Sequence, residues 1–181
     1  MIKYVMLALL LLACPAGTLA PSAAQPPAPP AVIIVPGLGI GAWTLDQRLA
    51  DYLFGLGVPV FPRNGTDLVF RSDLRQTTWP DSSVSVLYPH ASDIIAAVGS
   101  WDSGAHTVER IGVGSSEDQI SAAYGQPQIL LTAALRSKTL IYDDRGVAFE
   151  LPFVAATGTF GGTGRVFVFR PGQGRAVWRV P

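Results

Sequence analysis

"IGVGSSEDQISAAYGQP", which runs from Ile111 to Pro127, decides the predicted fold because it combines a helix start with a helix stop. Ser116, followed by Gln119 three residues later, forms the pattern of a capping box, in which the two residues satisfy amides at the helix start. Gly125 occupies the position where a helix end favours glycine, and Pro127 prevents continuation. We therefore expect a short helix between Ser116 and Gly125.

An earlier stretch, "WTLDQRLADYLFGLGVP" (Trp43 to Pro59), matches this pattern at a constant offset of 68 residues. Its apolar positions coincide with those of the later stretch, and Gly57 and Pro59 repeat the helix stop. Asp46 is the expected cap of this first helix. An internal repeat of this kind predicts two units of the same architecture.

The remaining chain is rich in branched and aromatic residues, in short segments separated by turns. The expected strands are SVSVLY (Ser83 to Tyr88), KTLIY (Lys138 to Tyr142), VAFEL (Val147 to Leu151), RVFVF (Arg165 to Phe169) and AVWRV (Ala176 to Val180). Strands joined by such short turns pair antiparallel. The predicted fold class is therefore α+β: two tandem units, residues 31–106 and 107–181, each a short helix packed on a small antiparallel β-meander.

The N-terminal residues 1–20 have the layout of a secretory signal peptide. Lys3 precedes an apolar run from Tyr4 to Ala13, which is too short to span a bilayer, since about 20 residues are needed. Residues 21–30 are rich in proline and form a predicted extended linker. The sequence therefore predicts an exported protein, either periplasmic, anchored as a lipoprotein, or secreted.

Two cleavage sites remain open. Leu11-Leu12-Ala13-Cys14 resembles a bacterial lipobox, which would make the single cysteine of the chain its lipidated first residue and anchor the protein to a membrane. Alternatively, signal peptidase cuts after Ala20 or Ala24, and Cys14 is lost. In both cases the mature chain lacks a cysteine pair for a disulfide.

Chain length, hydrophobic content and net charge limit the size of the core and the class of partner. The 181 residues carry 13 Lys and Arg against 13 Asp and Glu, and 49% of them are hydrophobic. Such a chain is long enough for one ordinary core or two small subdomains. Its balanced charge gives no electrostatic reason to expect nucleic acid as a partner.

The glycine-rich stretch "VIIVPGLGIGAW" (Val32 to Trp43) raises two enzymatic alternatives. As an oxyanion loop of an α/β-hydrolase it requires a serine nucleophile followed by an acid and a histidine. Ser116 is the nearest candidate, but His90 and His106 both precede it. A secreted serine esterase is therefore kept only as an alternative to a protein without enzymatic activity.

The same loop fits Gly-x-Gly-x-x-Ala of a dinucleotide-binding turn through Gly37, Gly39 and Ala42. The acidic residue expected after the second strand is missing, and strands do not go on alternating with helices. We expect no cofactor. Neither a catalytic residue nor a metal ligand is assigned, since the spacing of His90, Asp93, Asp102 and His106 matches no ligand pattern.

The second unit carries a resemblance to a known superfamily. Its motifs are Gly112-x-Gly114-Ser115-Ser116, Ile120, Tyr124-Gly125-x-Pro127, LIYDDRGVAFEL and GRVFVFRP. Over about Thr107 to Arg170 these resemble the superfamily of the β-lactamase inhibitor protein and the small outer-membrane assembly lipoprotein. The resemblance implies helices against an antiparallel sheet, non-enzymatic protein binding through that sheet, and lipid anchoring, here at Cys14, in some members.

Three tryptophans are candidates for partner binding. Trp79, Trp101 and Trp178 either belong to the core or anchor a partner on an open sheet face, where aromatic residues are enriched at interfaces. The leading hypothesis is an exported protein-binding or scaffold module that contacts another envelope or secreted protein. A structural lipoprotein without a dedicated partner is a second alternative to the esterase, and it predicts that all tryptophans are buried.

Overall fold

The computed structural model describes residues 32–53, 70–133 and 136–180. The predicted signal peptide, the linker and Cys14 lie outside the described residues. The strands are β1 (Ile34–Val35), β2 (Gly39–Ile40), β3 (Trp43–Thr44), β4 (Leu74–Trp79), β5 (Val84–Pro89), β6 (Ala97–Ser100), β7 (Ile129–Ala133), β8 (Ser137–Tyr142), β9 (Val147–Val154), β10 (Thr159–Phe160) and β11 (Arg165–Phe169). The helices are α1 (Leu49–Leu53), α2 (Glu117–Tyr124) and α3 (Gly174–Val177), and a 3-10 turn covers Pro80–Ser82. None of the described helices is long and apolar enough to cross a membrane.

The strands form two antiparallel sheets. Strands β1, β2 and β3 make a small three-stranded sheet. The large sheet has the order β4-β5-β6-β11-β9-β8-β7, and β10 adds to it by pairing with β9. Two consecutive-strand meanders, β4-β5-β6 and β7-β8-β9, thus lie side by side with β11 between them.

The prediction of an α+β fold with two separate helix-on-meander units is wrong. The described fold is mostly β, with one eight-stranded sheet, one three-stranded sheet and only three short helices. The two meanders merge because β6 pairs with β11, with Val98 opposite Val168 and Gly99 opposite Phe167. All four residues of β6 are buried, so this strand is shielded by neighbours instead of forming an outer edge.

Both faces of the large sheet carry apolar side chains, because alternate residues of a strand point to opposite faces. On β11, Val166 and Val168 join a core cluster with the N-terminal sheet and α2, including Ile40 and Ile120. Phe167 and Phe169 join a second cluster, which contains the C-terminal Trp178. Burial on both sides explains why RVFVF is apolar at every position after its arginine.

Local helix signals succeed for the second helix and fail for the first. The capping box at Ser116 is confirmed, and Gly125 ends α2 with a φ of 78°. Asp46 does not cap α1, which begins three residues later at Leu49. Its carboxylate instead accepts hydrogen bonds from Arg170 at 2.6–3.0 Å.

The last expected strand is also wrong. Residues of AVWRV belong partly to α3, because the amide of Gly174 donates to the Asp143 carboxylate at 2.7 Å and a helical turn follows. Trp178 is left with a single antiparallel bridge to Phe70. The C-terminal segment therefore packs across the large sheet without extending it.

Candidate functional site

The glycine-rich loop turns the first β-hairpin. Val35 pairs with Gly39, the Leu38 amide donates to the Val35 carbonyl at 3.0 Å, and Gly37 has a φ of 72°. A Cβ at Gly39 would lie 2.1 Å from the backbone oxygen of Trp43 on the neighbouring strand. Gly37 thus allows the backbone conformation of the turn, and Gly39 allows two strands to approach closely. The loop pattern has a structural cause that requires neither substrate nor nucleotide.

Ser116, the candidate nucleophile of the esterase hypothesis, is the N-cap residue of α2. Its hydroxyl accepts from the Gln119 amide at 3.3 Å, and the Gln119 side chain accepts from the Ser116 amide at 2.8 Å. His106 lies with Nδ1 3.0 Å from the Gly104 carbonyl, and His90 contacts Arg75. Within the part of the chain that the structure describes, these contacts give the esterase hypothesis no support.

Two of the four residues weighed as metal ligands, Asp102 and His106, make contacts within their own turn. Asp102 accepts from the Gly104 amide at 2.8 Å, which is a side-chain-to-backbone turn bond of the kind that aspartate favours. Among residues 32–53, 70–133 and 136–180, no group of three or more His, Cys, Asp or Glu could hold a metal ion.

The three candidate tryptophans lie in different environments. Trp79 is buried and its ring lies 4.5 Å from that of Trp43, centroid to centroid. Trp178 is buried against Phe169, with a centroid distance of 4.8 Å. Trp101 is half-buried in the loop after β6. A partner could reach Trp79 or Trp178 only by opening the core, so Trp101 is the candidate with accessible surface. Partner binding through these residues stays a prediction.

A cleft of about 330 Å³ lies beside the C-terminal segment. Its lining residues are Arg71, Ser72, Asp73, Arg175, Trp178, Arg179 and Val180. The segment is anchored because Trp178 is buried and because the Arg71 amide donates to the Val177 carbonyl at 3.1 Å. This anchoring brings Arg71, which precedes the large sheet, next to arginines that follow it.

Charge in this cleft is unbalanced. Arg71 pairs with Asp73 through two bonds, Nε to Oδ1 at 2.9 Å and Nη2 to Oδ2 at 3.1 Å. The hydrogen bonding between the two side chains raises the pKa of Arg71 and lowers the pKa of Asp73, so both groups stay charged. Arg175 and Arg179 are exposed, and neither forms an ion pair with another described residue. Three positive groups against one negative group leave a formal charge of +2.

The outer strand β7 is a second feature with potential for recognition. It ends the described sheet, and its sequence, ILLTA, contains no charge and no proline. Leu130 on this strand is 53% exposed. The opposite edge, β4, carries Arg75 and is followed directly by Pro80.

Sequence reasoning missed the cleft. No sequence pattern links these residues, because Arg71 lies about a hundred residues before Arg175 and Arg179 along the chain. The available signal was local: Arg170, Arg175 and Arg179 fall within the last dozen residues. Only the fold shows which of them share a cleft with Arg71.

No family model matches the chain, and no curated protein matches it significantly. The chain is similar to the crystal structure of the uncharacterized protein YfeY from Escherichia coli, with a TM-score of 0.50 and 12% sequence identity. The match covers 75% of this chain and 99% of that chain. At such low identity the likeness concerns the fold alone, and the resemblance to the β-lactamase inhibitor protein superfamily stays a prediction.

Proposed function

We propose that this protein is an exported, non-enzymatic module of the bacterial envelope that binds another envelope or secreted protein. Recognition uses β7, the outer strand of the large sheet as described, and the module is tethered to a membrane if Cys14 is lipidated. The export part rests on the signal-peptide pattern of residues 1–20. The binding part rests on one observation: among the described residues, β7 is an outer strand without charge or proline.

Edge strands present a row of unpaired amide and carbonyl groups, which natural proteins usually protect with charges, prolines or bulges. β4 carries one charged side chain, Arg75, whereas β7 carries no charge, and neither strand contains a proline. An extended segment of a partner can add to such an edge through main-chain hydrogen bonds, while pockets for alternate side chains provide specificity. Exposed Leu130 supplies an apolar contact for that segment.

In-cell photo-crosslinking tests the binding proposal. A photoreactive residue in place of exposed Thr132 on β7 should give a discrete crosslinked product with a protein of the envelope or the medium. Leu130→Lys should abolish that product, because a charge on an edge strand opposes strand addition. Val108→Lys is the matched control, since Val108 is an exposed apolar residue, 80% accessible, in a loop. Loss of the product only in Leu130→Lys supports the proposal; an unchanged product, or none in the wild type, refutes binding at β7.

The export proposal is tested separately by the mass and N-terminal residue of the protein made from the full-length chain. A diacylglyceryl group on Cys14 establishes tethering, and Cys14→Ser should then abolish it. A free N-terminus at Pro21 or Gln25 establishes export without the lipid. An uncleaved chain retained in the cytosol contradicts export.

A further inference from the structure

The cleft lined by Arg71, Arg175 and Arg179 combines an excess of positive charge with arginine side chains, which are the donors that anion sites use. We infer that it binds a phosphate-bearing small molecule or headgroup, with the doubly charged phosphate between the three guanidinium groups. This inference goes beyond the proposed protein-binding function and does not rest on it, since the cleft is formed by other residues than β7.

The free charge of the cleft matches a dianion. Asp73 neutralises one of the three arginines, which leaves Arg175 and Arg179 without a carboxylate among the described residues. A phosphate monoester carries close to two negative charges near neutral pH and three acceptor oxygens. A simple carboxylate would balance only one of the two unpaired arginines.

Arginine is the side chain suited to this recognition. Its planar guanidinium presents five donors that match phosphate oxygens in pairs and keeps its charge at every physiological pH. Arg71 is held in place because Nε and Nη2 bond Asp73, which leaves Nη1 without a bond to that carboxylate. A pre-ordered donor loses less side-chain entropy when a ligand binds.

The base of the cleft is rigid. Trp178 packs edge-to-face on Phe169 and Phe167, and the Gly174 amide is fixed by Asp143. Arg175 and Arg179 flank this anchored tryptophan, so their backbone positions are set by the core. The volume of about 330 Å³ is at the lower end of the range of small-ligand pockets, roughly 300–1,000 Å³, and fits a single phosphate ester.

Titration calorimetry of the purified mature protein with glycerol 3-phosphate tests the inference. We expect saturable binding that weakens as salt is added. The double variant Arg175→Gln/Arg179→Gln should lower the affinity by at least about tenfold, because it removes both charged donors that lack a carboxylate partner among the described residues. Arg110→Gln/Arg136→Gln, which removes two exposed arginines elsewhere, should leave the affinity unchanged.

Two further measurements distinguish a lipid headgroup from a free phosphate ester and a phosphate from a carboxylate. Flotation with phosphatidylcholine vesicles, with and without phosphatidic acid, whose headgroup is a phosphate monoester, reports a lipid headgroup, whereas binding of glycerol 3-phosphate without vesicle binding reports a free ester. Succinate, which carries two negative charges on carboxylates instead of on one phosphate, is the charge-matched probe. No saturable binding of either phosphate probe, equal loss in the control double variant, or succinate binding as tight as that of glycerol 3-phosphate would each overturn the inference.

Discussion

The ring of Phe167 lies directly over Gly99 at the seam where the two meanders join. The residues are opposite each other on β11 and β6, and a Cβ on Gly99 would lie 2.5 Å from Cε1 of Phe167. The ring has little freedom to move, because it is 1% exposed and packs edge-to-face against Phe70 and Trp178. A residue without a side chain is therefore what allows the two meanders to become one sheet.

Gly99→Ala should destabilise the protein by about 1–3 kcal/mol, the usual cost of forcing extra volume into a packed core. Chemical denaturation followed by tryptophan fluorescence measures this free energy of unfolding. Gly104→Ala is the matched control, because Gly104 lies in an exposed loop where a Cβ would come within 3.3 Å only of the Asp102 carboxylate. We expect the control to change stability by less than about 0.5 kcal/mol. Equal stability of Gly99→Ala and wild type would show that the seam can relax.

Ser116→Ala should cost about 1 kcal/mol of stability, because the hydroxyl caps α2 by accepting from the Gln119 amide. Thermal or denaturant unfolding measures the loss, and Ser103→Ala in an exposed turn serves as the control. The same variants assayed on short-chain esters test the esterase alternative. A wild-type esterase activity that disappears in Ser116→Ala without loss of stability would contradict the structural role of Ser116.

Four strands of the large sheet, β5, β8, β9 and β11, were predictable because their signals are local. RVFVF was placed without error as β11, since its apolar run is bounded by Gly164 and Pro171. The pairing of β6 with β11 was not predictable, because it joins segments more than sixty residues apart and depends on Gly99 fitting under Phe167. Without that pairing, two meanders look like two units.

The candidate site shows the same limit. The sequence marks Trp79, Trp101 and Trp178 as notable, but it does not say that Trp79 and Trp178 are buried and Trp101 half-buried. It predicts a strand around Trp178. In the structure the Gly174 amide donates a hydrogen bond to the distant Asp143 carboxylate, and a helical turn begins there instead. Contacts between distant residues, which single-sequence patterns do not report, decide both outcomes.

Stability at high pH should depend on Tyr124. Burial raises the pKa of its phenol from 10.0 to about 12, and its hydroxyl donates to Glu109 at 2.9 Å. The folded state therefore holds this proton more tightly than the unfolded chain. Its contribution to stability is complete below pH 10.0 and is lost as the pH rises to about 12. The free energy of unfolding, measured across this window, should fall more steeply for wild type than for Tyr124→Phe.

Tyr142 provides the comparison for that experiment. Burial also raises the pKa of Tyr142. Since this residue is present in wild type and in Tyr124→Phe, its titration lowers the stability of both at high pH and cancels when the two pH profiles are subtracted. Tyr124→Phe keeps the ring contacts to Tyr142 and Phe149, which lie at centroid distances of 5.3 and 5.4 Å. Parallel pH profiles for wild type and variant would contradict a raised pKa at Tyr124.

Trp178→Ala should cost about 3–5 kcal/mol, the usual loss for truncating a buried aromatic side chain. Trp178 is 1% exposed and contacts Phe169, Phe167 and Phe70, so its removal leaves a cavity on the second face of the sheet. Denaturant unfolding measures the loss, and Trp101→Ala, in a half-buried loop position, should cost less. Hydrogen exchange adds a local readout, because the Arg71 amide is bonded to the Val177 carbonyl and should lose protection when the C-terminal segment detaches. Wild-type protection of that amide in Trp178→Ala would mean that the segment is held by other contacts, and that the arginine cleft does not depend on this tryptophan.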